Sequence, residues 1–367
     1  MKRHFISLLS ACFFAVCGLS ASAQKTVWHN PLDSTTLAAG GSGYIQGRGF
    51  APNDYGRLPG EAKGKVRDAV WNLSRNSAGL YLQFTTDSPD ITVRYEVTGG
   101  HAMPHMPATG VSGVDLYNGA GERCWGDYGF GTPINYGYKG LPSDEGVYTL
   151  YLPLYNTVKW LQIGVKEGSS FAFLPADTAF ATGLPIVVYG TSIAQGACAS
   201  RPGMAWTNIL QRQTGMPVVN LGFSGNGRLE PEMIDYVASI PAALYVVDCM
   251  PNMYVAEDSV YTLVMNAVRQ FRQLRPEVPI LLAEHPGYAN RDTNTARREE
   301  DSQVDRAQRR AYADLRREGV KGLHYLSREE IAMPKDGMVD YIHPSDYGME
   351  AYAKAYHKAV GKILKLK

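Results

Sequence analysis

One serine of the chain stands where it could act as a nucleophile. Ser192 follows the apolar, β-branched run 184–189 and the dipeptide Gly190-Thr191. A buried strand that ends in small polar residues is typical of a parallel sheet, where ligands bind at the carboxyl ends of the strands. A serine hydroxyl is a weak nucleophile and needs a base within hydrogen-bond reach. Taken alone, Ser192 could equally be a turn residue or part of a phosphate-binding loop.

The sequence Asp340-Tyr-Ile-His343, near the end of the chain, offers that base. The imidazole of His343 can take the proton of a serine hydroxyl, and the carboxylate of Asp340 can hold the imidazole in the required tautomer. Both residues precede the last predicted helix, at the sheet edge where we expect Ser192. Asp340 could instead cap that helix or face solvent. The combination predicts an acyl transfer to Ser192.

Two further segments could donate hydrogen bonds to the oxyanion that develops during acyl transfer. Segment 220–227 contains three glycines, among them Gly225, so its backbone N–H groups can approach a substrate closely. Asn252 follows the third apolar run, although an asparagine beside a proline is often only a turn residue. We expect an oxyanion hole made of the backbone N–H groups of Ser192 and Gly225 and the side chain of Asn252.

The elements that must position these residues change in character near residues 175–183. Up to that point, short alternating strands and Gly- and Pro-rich turns predict an all-β sandwich or jelly roll without helices. Beyond it, apolar runs alternate with helical stretches, which predicts a parallel sheet covered on both faces. The predicted strands are 184–189, 216–221, 243–248, 279–283 and 322–326, and the predicted helices are 203–214, 229–239, 255–274, 296–318 and 346–364.

Residues 1–23 predict a secretory signal sequence. A basic start precedes the apolar run 5–19, and an Ala-Ser-Ala exit ends at Ala23. The run is too short for a membrane span, and no later stretch predicts one. We therefore expect export to the periplasm or the cell exterior. Segment 9–12 is similar to a lipoprotein acylation site, but too little apolar sequence precedes it, so lipidation is the less favoured alternative.

Charge and cysteine content exclude several classes of function. The chain has 36 Lys and Arg residues against 35 Asp and Glu residues, so neither nucleic acid nor an anionic membrane is an expected partner. Cys124, Cys198 and Cys249 remain after the signal sequence. Cys198 and Cys249 both follow predicted strands and form the candidate disulfide, with two buried thiols as the alternative. We expect no metal and no organic cofactor, and the sequence does not indicate an oligomeric state.

Other polar residues near the predicted sheet edge have less specific interpretations. His285, which follows the fourth apolar run, could contact substrate or bond to the backbone, and Thr191 could also contact substrate. Arg201 could bind an anionic group, but we favour a role in bracing its loop. His101 and His105 lie in a proline-containing loop and not on a helix, so their spacing does not predict a metal site. That loop could instead reach over the cleft.

The proposed site residues occur in the order found in the SGNH (GDSL-type) esterases and lipases, which this chain resembles. Ser192, Gly225, Asn252 and His343 correspond to the four letters of the family name. The first block reads Gly-Thr-Ser where the family has Gly-Asp-Ser, and the third reads Met-Pro-Asn where the family has Gly-x-Asn-Asp. The nucleophile, the base and the donors are retained, but the acid that often braces the site is absent at Thr191.

The N-terminal half resembles a second known pattern. Residues 112–117, Ser-Gly-Val-Asp-Leu-Tyr, are similar to the Gly-x-Asp-Leu-Tyr signature of the β domain that precedes some bacterial SGNH hydrolases. The two resemblances imply a β-sandwich domain over residues 24–180 and a flavodoxin-like, three-layer hydrolase domain over residues 181–367. They also imply a deacylase of acetylated carbohydrates. The alternatives are a lysophospholipase or thioesterase, and a carbohydrate-binding protein without activity.

Overall fold

Two antiparallel sheets form the N-terminal half of the computed structural model. The structure describes residues 25–33, 41–50, 54–142, 146–175 and 183–366. Within these ranges, the sheets have the strand orders β1-β10-β4-β8-β7 and β11-β3-β9-β5-β6, with β2 paired to β3. The strands are β1 (Thr26–His29), β2 (Ile45–Gln46), β3 (Tyr81–Thr86), β4 (Ile91–Val97), β5 (Asp115–Asn118), β6 (Arg123–Cys124), β7 (Asp127–Phe130), β8 (Ile134–Tyr138), β9 (Gly146–Tyr151), β10 (Val158–Lys166) and β11 (Phe171–Phe173).

The alternating pattern of these strands explains how the two sheets pack. On β4, the side chains of Ile91, Val93 and Tyr95 are buried, while the residues between them face outward. They join Leu82 and Phe84 of the other sheet in one apolar core, because successive side chains of a strand point to opposite faces. The predicted antiparallel β domain is confirmed, whereas the jelly-roll connectivity stays a prediction.

The prediction that this half contains no helix is wrong. Helix α1 (Asp68–Ser74) and the short helix α2 (Ala108–Val111) lie between its strands. Both are too short to show a helical period in the sequence. The buried face of α1 packs through Val70 against the core of the C-terminal half, not against the sandwich. The sequence of the N-terminal half alone therefore does not reveal the surface that stabilises this helix, which belongs to the C-terminal half.

The C-terminal half contains a five-stranded parallel sheet with the order β13-β12-β14-β15-β16. In chain order this is 2-1-3-4-5, the flavodoxin-like arrangement, as predicted. Every residue of the first three strands is buried, which explains their mostly apolar sequences; Asn220 and Asp248 are the polar exceptions within these strands. The strands are β12 (Ile186–Gly190), β13 (Val218–Gly222), β14 (Leu244–Asp248), β15 (Ile280–Ala283) and β16 (Leu323–Leu326).

Helices cover both faces of this sheet, as predicted. Helices α5, α6 and α7 pack on one face, and α4 and α9 pack on the other. The helices are α3 (Ser192–Gln195), α4 (Trp206–Thr214), α5 (Pro231–Ser239), α6 (Glu257–Leu274), α7 (Thr295–Arg317), α8 (Arg328–Ile331) and α9 (Asp346–Leu364). Short 3₁₀ helices span Gly41–Tyr44, Gly60–Ala62, Pro202–Met204 and Met250–Asn252. No helix of the described ranges is long and apolar enough to cross a membrane.

The two halves share their apolar cores. Leu58, Ala62 and Val70 of the N-terminal half are fully buried in the core that contains α5, α6 and α7. On the other face of the sheet, Met106 and Leu154 join the core that contains α4 and α9. Burying a side chain of this size stabilises the protein by about 1.5–3 kcal/mol. The predicted domain boundary near residue 181, like the predicted signal sequence, lies outside the described residues.

Candidate active site

Ser192 follows the carboxyl end of β12, the strand at which the strand order reverses. Thr191 is the N-cap of α3, and its hydroxyl oxygen accepts a hydrogen bond of 3.3 Å from the backbone N–H of Ile193. A Cβ at Gly190 would lie 2.7 Å from Ala194, so only glycine allows this tight turn from strand into helix. The sequence therefore places the Ser192 hydroxyl at the top of the sheet, where open α/β sheets bind ligands.

His343 and Asp340 meet Ser192 at this edge. The Oγ of Ser192 lies 3.0 Å from the Nε2 of His343, although 151 positions separate the two residues. The Nδ1 of His343 lies 2.8 Å from the Oδ2 of Asp340. The other carboxylate oxygen, Oδ1, accepts hydrogen bonds of 2.8 Å from the backbone N–H groups of Ile342 and His343. The loop before α9 thus holds acid and imidazole in one rigid turn.

These bonds keep Asp340 ionised. Burial alone would raise the pKa of its carboxyl group, but the hydrogen bonds from His343 and from the backbone outweigh burial, so the pKa lies below its ordinary value. An ionised Asp340 accepts a hydrogen bond from the Nδ1–H group of His343, which leaves Nε2 free to accept the proton of Ser192. The arrangement is geometrically and electrostatically suited to general-base activation of a serine.

Gly225 belongs to a loop that lies against the end of β12. Its φ of +70° is the left-handed conformation that favours glycine. The preceding residue, Ser224, is fixed because its backbone N–H donates to the Oε1 of Gln195 at 3.0 Å. A Cβ at Gly227 would lie 2.4 Å from the carbonyl oxygen of Gly190. Glycine at position 227 therefore lets the loop pack against Gly190 and Thr191, next to Ser192, whereas the role of Gly225 in an oxyanion hole stays a prediction.

Asn252 ends the 3₁₀ helix that follows β14, and its side chain is oriented by two hydrogen bonds. Its Oδ1 accepts a bond of 3.2 Å from the backbone N–H of Gly227, and its Nδ2 donates to the carbonyl oxygen of Pro251 at 3.1 Å. A side-chain amide has two N–H donors, so one remains for a substrate oxygen. The structure brings Asn252 together with the loop of Gly225, as predicted; their role in catalysis stays a prediction.

The two candidate substrate contacts, Thr191 and His285, are corrected. The side chain of Thr191 is fully buried and serves as the N-cap. His285 is 1% exposed, and its Nδ1 accepts a hydrogen bond of 2.9 Å from the backbone N–H of Gly287. Burial lowers the pKa of His285 to about 3, so the imidazole is neutral. Of the two interpretations of His285, the structural one is observed, because a side chain enclosed by protein cannot reach a substrate.

The candidate disulfide between Cys198 and Cys249 is also wrong, since both thiols are free. The thiol of Cys198 donates to the carbonyl oxygen of His105 at 3.2 Å, whereas that of Cys249 donates to the carbonyl oxygen of Tyr189 at 3.7 Å within the apolar core. The two thiols therefore have different neighbours. The order of the strands does not show in which direction each cysteine side chain points. Burial, with the nearby Asp340 carboxylate, raises the pKa of Cys198 to about 12.

The Gly-x-Asp-Leu-Tyr segment joins the β domain to the loop that follows α3. The buried carboxylate of Asp115 accepts hydrogen bonds from the Nη1 of Arg201 at 2.7 Å and from the backbone N–H of Gly203 at 2.9 Å. Arg201 also donates to the hydroxyl of Tyr117 at 2.7 Å. A Cβ at Gly113 would lie 2.3 Å from the carbonyl oxygen of Thr109. Arg201 therefore braces its loop, the role favoured from the sequence.

Three residues of the N-terminal half approach the site, and two of them, Arg57 and Tyr155, have no signal in the sequence. The buried guanidinium of Arg57 donates to the carbonyl oxygens of Asn220 and Gly222, at the end of β13. The hydroxyl of Tyr155 donates to the carbonyl oxygen of Ser192 at 3.3 Å. The ring of His105 lies 5.6 Å from the ring of His343, centroid to centroid. For His105 the sequence gives an indication, because its proline-containing loop could reach over the cleft.

A buried acid, Asp248, precedes the proposed oxyanion donor Asn252 by four positions. Asp248, the last residue of β14, accepts hydrogen bonds from the hydroxyl of Tyr352 at 3.2 and 3.1 Å. Burial raises the pKa of Asp248 to about 7, although the tyrosine hydrogen bonds act in the opposite direction. The group is therefore largely protonated below neutral pH. In the sheet register, Asp248 lies opposite Gly190, the last residue of the strand that precedes Ser192.

Comparisons with known families cover both halves of the chain. Residues 184–361 match the model of the GDSL-like Lipase/Acylhydrolase family. Residues 27–171 match the model described as the N-terminus of Esterase_SGNH_hydro-type, named GxDLY. A search among curated proteins gave no significant match. The two matched ranges agree with the two resemblances drawn from the motifs.

Solved structures share the whole two-domain arrangement. A Bacteroides ovatus protein described as a GDSL-like lipase is 29% identical with a TM-score of 0.83, and the match covers 94% of this chain and 99% of that one. A salicylyl-acyltransferase from a tetracycline biosynthetic pathway is 20% identical with a TM-score of 0.74, covering 95% and 100%. A family two carbohydrate esterase from Cellvibrio japonicus is 13% identical with a TM-score of 0.58, covering 94% and 99%.

The latter two similarities concern the fold alone. The family matches, the similarity to the Bacteroides ovatus protein and the arrangement of the site residues lead to the same conclusion. The chain belongs to the SGNH (GDSL-type) hydrolases that carry an N-terminal GxDLY domain, and it is an ester hydrolase.

Proposed function

We propose that the protein is an exported serine esterase that removes short acyl groups, acetyl above all, from hydroxyl oxygens of carbohydrates. The observation that carries the proposal is the 3.0 Å distance between the Oγ of Ser192 and the Nε2 of His343, with Asp340 on the opposite ring nitrogen. Nucleophile and base lie within hydrogen-bond reach, and a third group orients the base. This is the arrangement that an acyl-enzyme mechanism requires.

In the proposed mechanism, His343 takes the proton of Ser192 as the oxygen attacks the ester carbonyl carbon. The oxyanion accepts hydrogen bonds from the backbone N–H groups of Ser192 and Gly225 and from the Nδ2 of Asn252. His343 then gives the proton to the leaving sugar oxygen, which departs as a hydroxyl group, and the acyl group remains on Ser192. A water molecule attacks the acyl carbon while His343 takes one of its protons. His343 returns that proton to the Oγ of Ser192 as the bond to the acyl carbon breaks and the carboxylic acid leaves.

Two observations support a carbohydrate substrate. Solved structures of the same fold include family two carbohydrate esterases, one of which, from Clostridium thermocellum, is in complex with cellohexaose. In this chain, Tyr254 and Tyr341 expose their rings, and each lies within two positions of a proposed site residue, Asn252 or His343. An aromatic ring offers a flat apolar face with a polar edge, against which the C–H face of a sugar can pack.

The experiment compares wild type with Ser192→Ala on p-nitrophenyl acetate and on a panel of acetylated polysaccharides, measuring nitrophenol and acetate release. We expect wild-type turnover and a loss of at least about 10⁴-fold in kcat for Ser192→Ala. Ser239→Ala, which alters an exposed hydroxyl far along the chain, serves as the control. Equal rates for wild type and Ser192→Ala would refute the serine mechanism.

A series of acyl chain lengths tests the substrate class. We expect the highest kcat/KM for acetyl esters and a decline toward long chains. A preference for long-chain or thioester substrates would instead support the lysophospholipase or thioesterase alternative. Binding of polysaccharide without any acyl release would support the non-catalytic alternative.

Export is a separate part of the proposal and rests on residues 1–23 alone. Cell fractionation followed by mass spectrometry of the N-terminus tests it. We expect a mature chain that begins at Gln24 in the periplasm or the medium. An uncleaved chain in the cytoplasm would contradict export and leave the esterase proposal untouched.

A further inference from the structure

Four side chains with metal-binding atoms converge beside the proposed nucleophile. They are His105, Cys198, Asp340 and His343, and one ligand atom from each lies within 4.8 Å of the others. His105 comes from a loop of the β domain, Cys198 from the loop after α3, and the other two from the loop before α9. Two imidazoles, a thiol and a carboxylate make a mixed nitrogen, sulfur and oxygen set.

This set has the chemistry of a zinc site. Zn²⁺ is bound tetrahedrally by cysteine sulfur, histidine nitrogen and carboxylate oxygen, usually with four ligands. Carboxylates and water, the preferred ligands of Mg²⁺ and Ca²⁺, are a minority here. We propose that His105, Cys198, Asp340 and His343 bind a Zn²⁺ ion that reversibly inhibits the enzyme. The inhibitory consequence depends on the proposed function, whereas the binding does not.

Metal binding and catalysis exclude each other at this site. His343 uses Nε2 toward Ser192 and Nδ1 toward Asp340, so whichever ring nitrogen binds the metal, one of these hydrogen bonds is lost. The Nδ1 of His343 and the Oδ2 of Asp340 lie only 2.8 Å apart. Two ligands of one tetrahedral zinc with bonds of about 2.0 Å lie about 3.3 Å apart. A small movement that separates this pair therefore opens the site and removes the base from Ser192.

The backbone at Cys198 adopts a conformation that is unusual for a residue other than glycine. Cys198 has a φ of +66°, a left-handed conformation that costs a non-glycine residue of order 1 kcal/mol or more. In this conformation the thiol lies in the cluster and donates a hydrogen bond to the carbonyl oxygen of His105. His105 itself is exposed, so an ion can enter from solvent past its imidazole. The expectation of no metal was based on spacing along the chain, which cannot detect ligands from separate loops.

The binding test titrates the full-length mature chain with Zn²⁺ in competition with a chromophoric chelator. We expect one Zn²⁺ per chain. Cys198→Ser, which keeps the hydroxyl donor to His105 but removes the sulfur ligand, and His105→Ala should each weaken binding by more than the about 10- to 100-fold typical of losing an outer-shell partner. Substitution with Co²⁺ should give a thiolate-to-metal charge-transfer band in wild type and none in Cys198→Ser.

Matched controls are Cys124→Ser and His101→Ala, which remove the same side chains outside the cluster and should bind Zn²⁺ like wild type. Inhibition by Zn²⁺, expressed relative to the metal-free rate of each protein, should be lost in Cys198→Ser and kept in wild type. Ser192→Ala should bind Zn²⁺ normally without turnover. Absence of stoichiometric binding, or an equal loss in the control variants, would overturn the inference while leaving the esterase proposal intact. Binding by a chain that hydrolyses no ester would instead refute the function and keep the site.

Discussion

The guanidinium of Arg57 is buried beside the active-site loop and donates a hydrogen bond of 2.7 Å to the carbonyl oxygen of Gly222. Its other donors reach the carbonyl oxygens of Asn220, Leu73 and Asn76. Arg57 belongs to the N-terminal half, whereas Gly222 ends β13 and begins the loop that carries Gly225. One side chain thus satisfies backbone acceptors of both halves at the base of the proposed oxyanion hole.

This relationship predicts a large loss of stability for Arg57→Met. The change leaves buried carbonyl groups without donors, each at a cost of about 1–3 kcal/mol. We expect the free energy of unfolding, measured by denaturant titration, to fall by about 3 kcal/mol or more. Arg67→Met is the control, because Arg67 is exposed and its pair with Glu230 lies at the surface, where an ion pair contributes about 1 kcal/mol or less. Similar losses in both variants would contradict the assigned role.

Replacing the acid of the proposed triad should reduce kcat and leave KM nearly unchanged. In Asp340→Asn, the side-chain amide can present an N–H donor to Nδ1 in place of the carboxylate acceptor, so His343 loses the tautomer that Ser192 needs. A loss of up to about 10⁴-fold is the precedent for such a change. Steady-state kinetics on p-nitrophenyl acetate measures it, with the exposed neighbour Asp336→Asn as control. Wild-type kcat in Asp340→Asn would show that Asp340 is only a structural residue of its loop.

The proposed oxyanion donor Asn252 gives a second kinetic prediction. Removing one such donor costs about 10²- to 10³-fold in kcat, because its hydrogen bond strengthens only as charge develops on the oxygen. Asn252→Ala should show this loss with a nearly unchanged KM. Asn72→Ala, at an exposed position of α1, provides the comparison. A change confined to KM would instead assign Asn252 to ground-state binding.

The exposed ring of Tyr254 should discriminate between polymeric and small substrates. Its side chain is 60% exposed two positions after Asn252. We expect Tyr254→Ala to raise KM for acetylated polysaccharide severalfold and to leave the kinetics on p-nitrophenyl acetate unchanged. Tyr128→Ala, which removes an exposed ring from β7, should affect neither substrate. Equal effects on both substrates would argue against sugar stacking at this position.

Asp248 predicts a pH dependence of stability with a definite sign. Its folded-state pKa of about 7 lies above the ordinary value of 3.8, so the folded chain holds a proton that the unfolded chain releases. This contribution favours folding fully below pH 3.8 and is lost as the pH rises toward 7. Each unit of pKa corresponds to about 1.4 kcal/mol.

The variant Asp248→Asn tests this linkage. Its stability relative to wild type should improve by up to a few kcal/mol as the pH is raised from 4 to 7, at about 1.4 kcal/mol per unit. Denaturant unfolding of both proteins at several pH values measures the difference. A constant difference across that range would mean that Asp248 titrates equally in both states.

The sequence predicted the strands of the hydrolase domain well because short, mostly apolar runs between helical stretches have few alternatives to buried parallel strands. The predicted helix start at residue 203 was early, since Pro202–Met204 forms a 3₁₀ turn before α4 begins at Trp206. Helix α1 was missed because its buried face meets the other half of the chain. In each case, a local pattern determined the element and a distant contact determined its details.

The same distinction between local patterns and distant contacts applies to the residues of the proposed site. Ser192, His343 and Asp340 could be proposed because their chemistry follows strand ends or a short motif. Arg57 could not, since a buried arginine that donates to backbone carbonyl groups has the same letter as one on the surface. The disulfide prediction failed for Cys198 because only the backbone conformation decides where a thiol points.

The bond between Asp115 and the loop of Gly203 restricts how this enzyme can evolve. A methyl group at Gly203 would lie 2.8 Å from the carboxylate of Asp115 and 2.3 Å from the hydroxyl of Tyr117. A larger residue at position 203 would therefore require a compensating substitution at Asp115 or Tyr117 in the N-terminal half. A hydrolase domain recombined with the β domain of a distant relative would inherit its nucleophile but lose these partners. A functional chimera would therefore need to take both domains from one source.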